Sequence, residues 1–216
     1  MPARAVDRNV FINCPFDADY RPLFEALIFT IVLSGYNVRC ALEDDDAGNI
    51  RFDKLRRLIR ESSWSIHDLS RTELGVNALP RFNMPFELGL AIGAKYFGSR
   101  KQRHNKALIL VRERHTLPAY LSDLGGSDPT HHGNNPSNLI REVSRFLHVM
   151  PDGRLLPGPQ SYVAAFAKFK KALPTIAVAL DWTAAEVDPL TNYRVYLLFL
   201  AEYMKSVTRA SGDPRA

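Results

Sequence analysis

The order in which strand-like and helix-like stretches follow one another is the strongest constraint this chain places on its own fold. Asn9 to Cys14 (NVFINC) is a short β-rich apolar run; Tyr20 to Ser34 carries Leu23, Phe24, Leu27, Ile28 and Ile31 at helical spacing; Asn37 to Leu42 (NVRCAL) returns to strand chemistry. Gly35 sits where a helix ends, and the polar run Glu43 to Asn49 reads as a loop before a second helix from about Phe52 to Glu61. A third strand follows at Trp64 to Leu69, a third helix runs to about Phe97, and Lys106 to Arg112 (KALILVR) is the clearest buried strand. Asn135 and Pro136 mark the cap and first position of a helix reaching His148. Strands and helices that alternate in this way predict an α/β fold with an open, doubly wound, flavodoxin-like parallel sheet, because each parallel crossover needs a helix to return the chain.

From Met150 the character changes. PDGRLLPGPQ (151 to 160) has the Pro/Gly density of a linker. Beyond it, Tyr162, Phe166, Phe169, Leu173 and Ile176 form one helical stripe, and Tyr193, Tyr196, Leu197, Leu200, Tyr203 and Met204 another. We therefore expect an α/β domain over residues 1–150 and a linker with a C-terminal helical hairpin over 151–216, the hairpin folding back on the domain rather than serving self-association.

No apolar run reaches eighteen residues and MPARAVDRNV lacks the apolar stretch of a signal peptide, so the expectation is a soluble, cytoplasmic chain without membrane contact. Two cysteines, Cys14 and Cys40, are too few for a disulfide framework and read as free thiols. The net charge of +5 would suit an acidic partner, but the basic residues are scattered and their densest group, Arg100 to Lys106, is one short loop, which argues against nucleic acid.

In doubly wound sheets ligands bind beyond the carboxyl ends of the strands. Here those positions hold Pro15, Phe16 and Asp17; Glu43 to Asp46; Asp68, Ser70 and Arg71; and the turn before Glu87. Asp68 and Ser70 either hold sugar hydroxyls or turn the following loop, and Arg71 either meets a diphosphate or is solvated. No G-x-G-x-x-G follows the first strand and no G-x-x-x-x-G-K-[ST] occurs, which excludes phosphate cradling by either glycine loop. The triple aspartate Asp44 to Asp46 lacks a second ligand cluster at metal spacing, and His67, His131 and His132 read as structural or solvated, so no metal site is expected.

RFNMPFELGL (81 to 90) places one carboxylate, Glu87, between two apolar residues at the opening of the third helix. A helix capped by Asn83 puts Glu87 one position past the capping-box acid; a helix starting one residue later makes Glu87 that acid. Phe86 reads as core, and Gly89 and Gly93 as positions that let the helix approach the sheet.

Asn83, Met84, Pro85, Phe86, Glu87, Leu88 and Gly89 resemble the N-x-x-F-E-L-G signature of bacterial TIR-like (Toll/interleukin-1 receptor-like) predicted nucleotide-binding domains. VFINC and the acidic loop after NVRCAL fall where that family has its first strand and its BB loop, and the likeness covers about residues 9 to 148. It departs at CPFDADY, where many active members begin with a serine-rich loop. The resemblance implies an NAD hydrolase that breaks the nicotinamide-ribose bond, NAD being a substrate and no cofactor being required. It implies Glu87 as the catalytic carboxylate, and Asn13, Phe16, Asp17, Asp68, Ser70, Arg71 and Asn83 as the residues around the nucleotide. It further implies activation by homo-oligomeric assembly and a role in bacterial antiviral defence signalling. Nucleoside deoxyribosyltransferases share a similar glutamate-glycine helix start and supply the alternative reading; a non-catalytic nucleotide sensor or TIR scaffold is a third.

Overall fold

Five strands pair side by side, all parallel, in the order β2-β1-β3-β4-β5. They are β1 (Asn9–Asn13), β2 (Asn37–Arg39), β3 (Trp64–Asp68), β4 (Lys106–Val111) and β5 (Thr130–His131), and the helices are α1 (Arg21–Leu33), α2 (Arg51–Glu61), α3 (Asn83–Phe97), α4 (Pro136–His148), α5 (Pro159–Ala179) and α6 (Tyr193–Ser211). The structure, a computed structural model, describes residues 8–44, 48, 50–71, 81–114, 119–124, 126–149 and 154–211. Asp45, Asp46 and most of the loop between Ser70 and Arg81 lie outside the described residues. The chain is an α/β protein with a doubly wound parallel sheet and a C-terminal helical part.

Alternation along β1 divides the layers. Val10 and Ile12 enter the main core with α1 and α4, whereas Phe11 packs with Leu55, Leu58 and Ile59 of α2 on the opposite face. Beyond the carboxyl ends, Leu69, Met84, Leu88 and Val111 form a third cluster beneath α3. α1 is buried continuously from Leu23 to Ile31, an all-round apolar helix that needs cover on both sides. The sheet supplies one side. α5 and α6 supply the other, through Tyr162, Phe169, Leu173, Tyr196 and Leu200 in the same core. The Phe29 and Phe169 rings stack at 5.4 Å, and Lys170 reaches the largely buried Glu25 at 2.5 Å.

Local signals end the helices where the sequence places them. Gly35 has φ of +75°, and the Gly35 and Tyr36 amides donate to the carbonyls of Val32 and Ile31, the paired bonds of a Schellman stop. Arg154 closes this corner by donating to the Ser34 carbonyl and lying over the Tyr36 ring. At α4 the Asn135 side chain accepts from the amides of Ser137 and Asn138. The strand reading of NVRCAL is too long: pairing stops at Arg39, and Ala41–Glu43 turns as a 3-10 helix. No helix among the described residues is long and apolar enough to cross a membrane.

Candidate functional site

β1 has β2 on one side and β3 on the other, so the chain leaves its carboxyl end in opposite directions and a crevice opens between β1 and β3. Asn13 and Asp68 end those two strands, and the alternation of side chains sends them to opposite faces. Two polar clusters result.

On the α2 and α3 face, the Asn13 side-chain amide donates to the Met84 carbonyl at 2.8 Å and to His67 Nδ1 at 3.0 Å. That bond leaves the His67 proton on Nε2, which has no partner among the described residues; burial pushes the imidazole down to about 3, so it is neutral. By holding the Met84 carbonyl, Asn13 ties the first turn of α3 to the end of β1.

Glu87 lies one turn further along that helix. α3 starts at Asn83 with Phe82 as its N-cap and no side-chain capping bond, so Glu87 is the fifth helical residue. Both helix-start explanations for this acid therefore fail, since the capping position and the main reach of the helix dipole lie within the first turn. Glu87 is only 6% exposed, and its one charged neighbour within 4 Å among the described residues is Arg51, at 3.9 Å. Burial raises the carboxyl from 4.5 to about 7, against a smaller opposing effect of Arg51. The Arg51 side chain is mostly exposed and the contact is loose, so the pair is weak.

Two readings of the surrounding residues are corrected. Phe86 is not core but 55% exposed, tilted against the exposed Phe52 at 6.3 Å. Gly89 and Gly93 do not serve a close approach to the sheet, because a Cβ at either would meet open space.

On the α1 and α4 face, Asp68 is fully buried and fully engaged. Oδ1 accepts from the Ser70 amide at 2.8 Å, Oδ2 accepts from the Tyr20 hydroxyl at 2.6 Å, and His132 Nε2 stands 3.0 Å from Oδ2, off the line of a straight hydrogen bond. Burial alone would push this carboxyl up, yet His132, the Ser70 amide and Tyr20 outweigh it and hold the group below its usual value. This arrangement satisfies the turning role for Asp68 and leaves neither oxygen open to a sugar. The Ser70 hydroxyl, by contrast, is buried without a partner among the described residues.

The remaining expected site residues are dispersed. Asp17 accepts from the Tyr20 amide and from Arg81 at 2.6 Å, and Arg71 contacts Asp17 and Asp19 at 3.7 and 3.2 Å, so these side chains hold one another across the mouth of the crevice. Phe16 packs edge-on to Phe24 at the margin of the core, and Asn83 is exposed. Asp44 pairs with Arg57 at 2.8 Å. Cys14 and Cys40 are buried free thiols; burial and then the neighbouring Asp68 push Cys14 well above its ordinary value, which suits packing and not a thiolate nucleophile.

Sequence reasoning missed Arg51 and Tyr20, and of its two readings of His132, structural or solvated, the structure bears out the first without the sequence having shown its partner. Tyr20 reads as one more residue at a helix start, Arg51 as a surface base after a loop, and His132 follows a two-residue strand too short to register as a pattern. The fold and the crevice thus define a doubly wound α/β protein with one buried, loosely paired carboxylate at its topological switch point. No family model matches the chain, and no curated protein matches it.

Proposed function

We propose that the protein is a TIR-like hydrolase that cleaves NAD at the nicotinamide-ribose bond, with Glu87 as the catalytic carboxylate. The observation that carries this reading is the placement of Glu87: a carboxyl 6% exposed, past the reach of helix capping, beside the carboxyl ends of β1 and β3. Departure of nicotinamide leaves positive charge on the ribose ring, and a fixed carboxylate beside the anomeric carbon stabilises that charge or traps it covalently. One carboxylate suffices because the nicotinamide nitrogen is already cationic in NAD and leaves neutral without taking a proton. In such a low-polarity position the charge interaction is far stronger than in water.

Arg51 favours the dinucleotide over the free nucleosides of a deoxyribosyltransferase. It is the cation next to Glu87, its side chain is 65% exposed, and a guanidinium held this loosely is available to a phosphate. The exposed Phe52 and Phe86 rings beside that pair offer aromatic faces to a base. Activation by assembly, a cytoplasmic location and a part in bacterial defence signalling belong to the same proposal and come from the sequence resemblance.

The test is NAD consumption by the purified chain at high concentration, with and without a crowding agent, beside a folded Glu87→Gln variant. Nicotinamide released by the parent alone supports the hydrolase. Exchange of bases between nucleosides with NAD left intact would replace it by the transferase, and nucleotide binding without turnover in either protein would replace it by the sensor.

A further inference from the structure

We infer that the outer face of α3 is a docking surface for a second copy of this chain, the two α3 helices crossing antiparallel at Gly89 and Gly93. A surface helix normally turns apolar side chains inward and charged or polar ones outward. α3 keeps the first half of that rule, burying Met84, Leu88 and Ala91 beside Glu87. At about 100° per residue the opposite face carries Phe82, Phe86, Gly89, Gly93 and Tyr96, with Phe97 at its margin, and no charged side chain. Phe82, Phe86, Tyr96 and Phe97 are 54%, 55%, 66% and 91% exposed.

The glycines between these rings are not explained by packing within one copy. Each weakens the helix relative to alanine, and a Cβ at either would meet open space. Gly98 is different, because a Cβ there would collide with the Ala94 carbonyl oxygen. A bare Cα on an outer face permits the close approach of another backbone, and a helix is the element that fits along a straight stripe.

Three features select a second copy as the occupant. The stripe reads alike from both ends: Gly89 and Gly93 lie two residues either side of Ala91, and Phe86 and Tyr96 lie five, or about 7.5 Å along the axis. An antiparallel crossing over that midpoint sets Phe86 of each copy against Tyr96 of the other, the self-complementarity that a two-fold contact requires. Charge agrees, since a net charge of +5 makes two copies repel and a self-contact gains from an uncharged face. The area is also sufficient. The exposed parts of the four rings come to about 500 Å² per copy, at roughly 200 Å² for a whole aromatic side chain. Two copies then bury about 1,000 Å² from the rings alone, the least that a specific contact needs. An anionic membrane surface fits less well, because such helices are rich in Lys and Arg and the only base in α3 is Lys95.

The assembly in the preceding proposal has no face assigned to it, and this contact supplies one. Phe52 lies off the stripe, on α2, and stays open to a base in the dimer. The pairing is read from mass, so it stands or falls whether or not NAD is cleaved.

Sedimentation velocity of the parent, Glu87→Gln, Gly93→Leu and Phe97→Ser from about 1 to 100 μM is the test, with thermal melts at the lowest concentration to confirm folding. Parent and Glu87→Gln are expected to pass from 24.4 kDa toward twice that mass over the range. Gly93→Leu and Phe97→Ser should need at least about tenfold more protein to pair. Leucine is the better helix former and its Cβ finds open space, so Gly93→Leu should melt no lower than the parent, which separates a lost contact from a damaged fold. A parent that stays at 24.4 kDa throughout overturns the proposal, including one that binds anionic lipid vesicles instead. So does a folded Gly93→Leu that pairs as the parent does. Should Gly93→Leu fail to fold, unchanged pairing in Phe97→Ser overturns the proposal alone.

Discussion

Replacing Glu87 by glutamine is expected to stabilise the protein, increasingly so as the pH rises. Burial lifts the carboxyl from 4.5 to about 7, and at 1.36 kcal/mol per pH unit that displacement amounts to about 3 kcal/mol. The folded state binds this proton more tightly than the unfolded chain does, so the parent loses stability as pH rises from 4.5 to 7 and stays depressed above it. Glutamine has the same shape and no proton to lose. The stability difference between variant and parent should thus widen by about 2.5 kcal/mol between pH 5 and pH 8, a large share of the roughly 5–15 kcal/mol typical of whole domains. Urea denaturation of both proteins at pH 5, 6, 7 and 8 measures it directly, with the slope on urea checked to be constant. A difference that stays flat across that range would refute the reasoning, because it would mean that the Glu87 carboxylate is as well solvated in the folded protein as in the unfolded one. The experiment bears on function as well, since a site that gains stability on losing its charge carries the usual mark of a group kept for its chemistry.

Under the NAD reading, kcat/KM should rise as pH passes through about 7, because the carboxylate and not the acid stabilises the sugar cation; initial rates from pH 5.5 to 8.5 check this, and a profile that falls over the range contradicts it. Tyr20→Phe removes the hydroxyl that donates to the buried Asp68 and should cost about 2 kcal/mol in urea denaturation, with a loss under about 0.5 kcal/mol counting against the network. Gly35→Ala forces a side chain into φ of +75° with its Cβ 2.6 Å from Arg154 Nη1, so it should destabilise by about 1 kcal/mol or more; adding Arg154→Ala relieves the contact but not the backbone strain, and a complete rescue would show the glycine's φ to be unimportant. Phe169→Ala opens the junction of α1, α5 and α6 and should cost about 3–5 kcal/mol, whereas a C-terminal unit independent of the α/β core would leave the sheet's unfolding unchanged.

The local grammar of this chain is plain where a residue type has one use. Asn135 and Pro136 start α4, Gly35 stops α1, and the apolar run of KALILVR is a strand, though one buried only at Leu110 and Val111 and exposed at Lys106 and Ala107, so the doubly wound sheet follows from sequence while the depth of its strands does not. Position along a helix is legible only when the cap is. Phe82 occupies the N-cap of α3 without the side chain of a capping residue, and that displacement carries Glu87 out of the first turn. Contacts made across the sheet leave no periodic trace at all. Nothing local to Tyr20 or His132 announces that both reach Asp68, over separations of 48 and 64 residues, because that meeting depends on strand order. Gly89 and Gly93 illustrate the opposite error, in which a familiar residue type is assigned a use that the packing does not require.

The all-round burial of α1 also sets a schedule for synthesis. Its outer side is covered by residues of α6, which begins at Tyr193, about 160 residues after α1 ends at Leu33. At ribosomal rates of roughly 5–20 residues per second, an apolar helix waits about 10 to 30 seconds for its last neighbour to emerge. During that interval the nascent chain presents an apolar surface that chaperones and other unfinished chains can both bind, and its burial is completed only once α6 has been made.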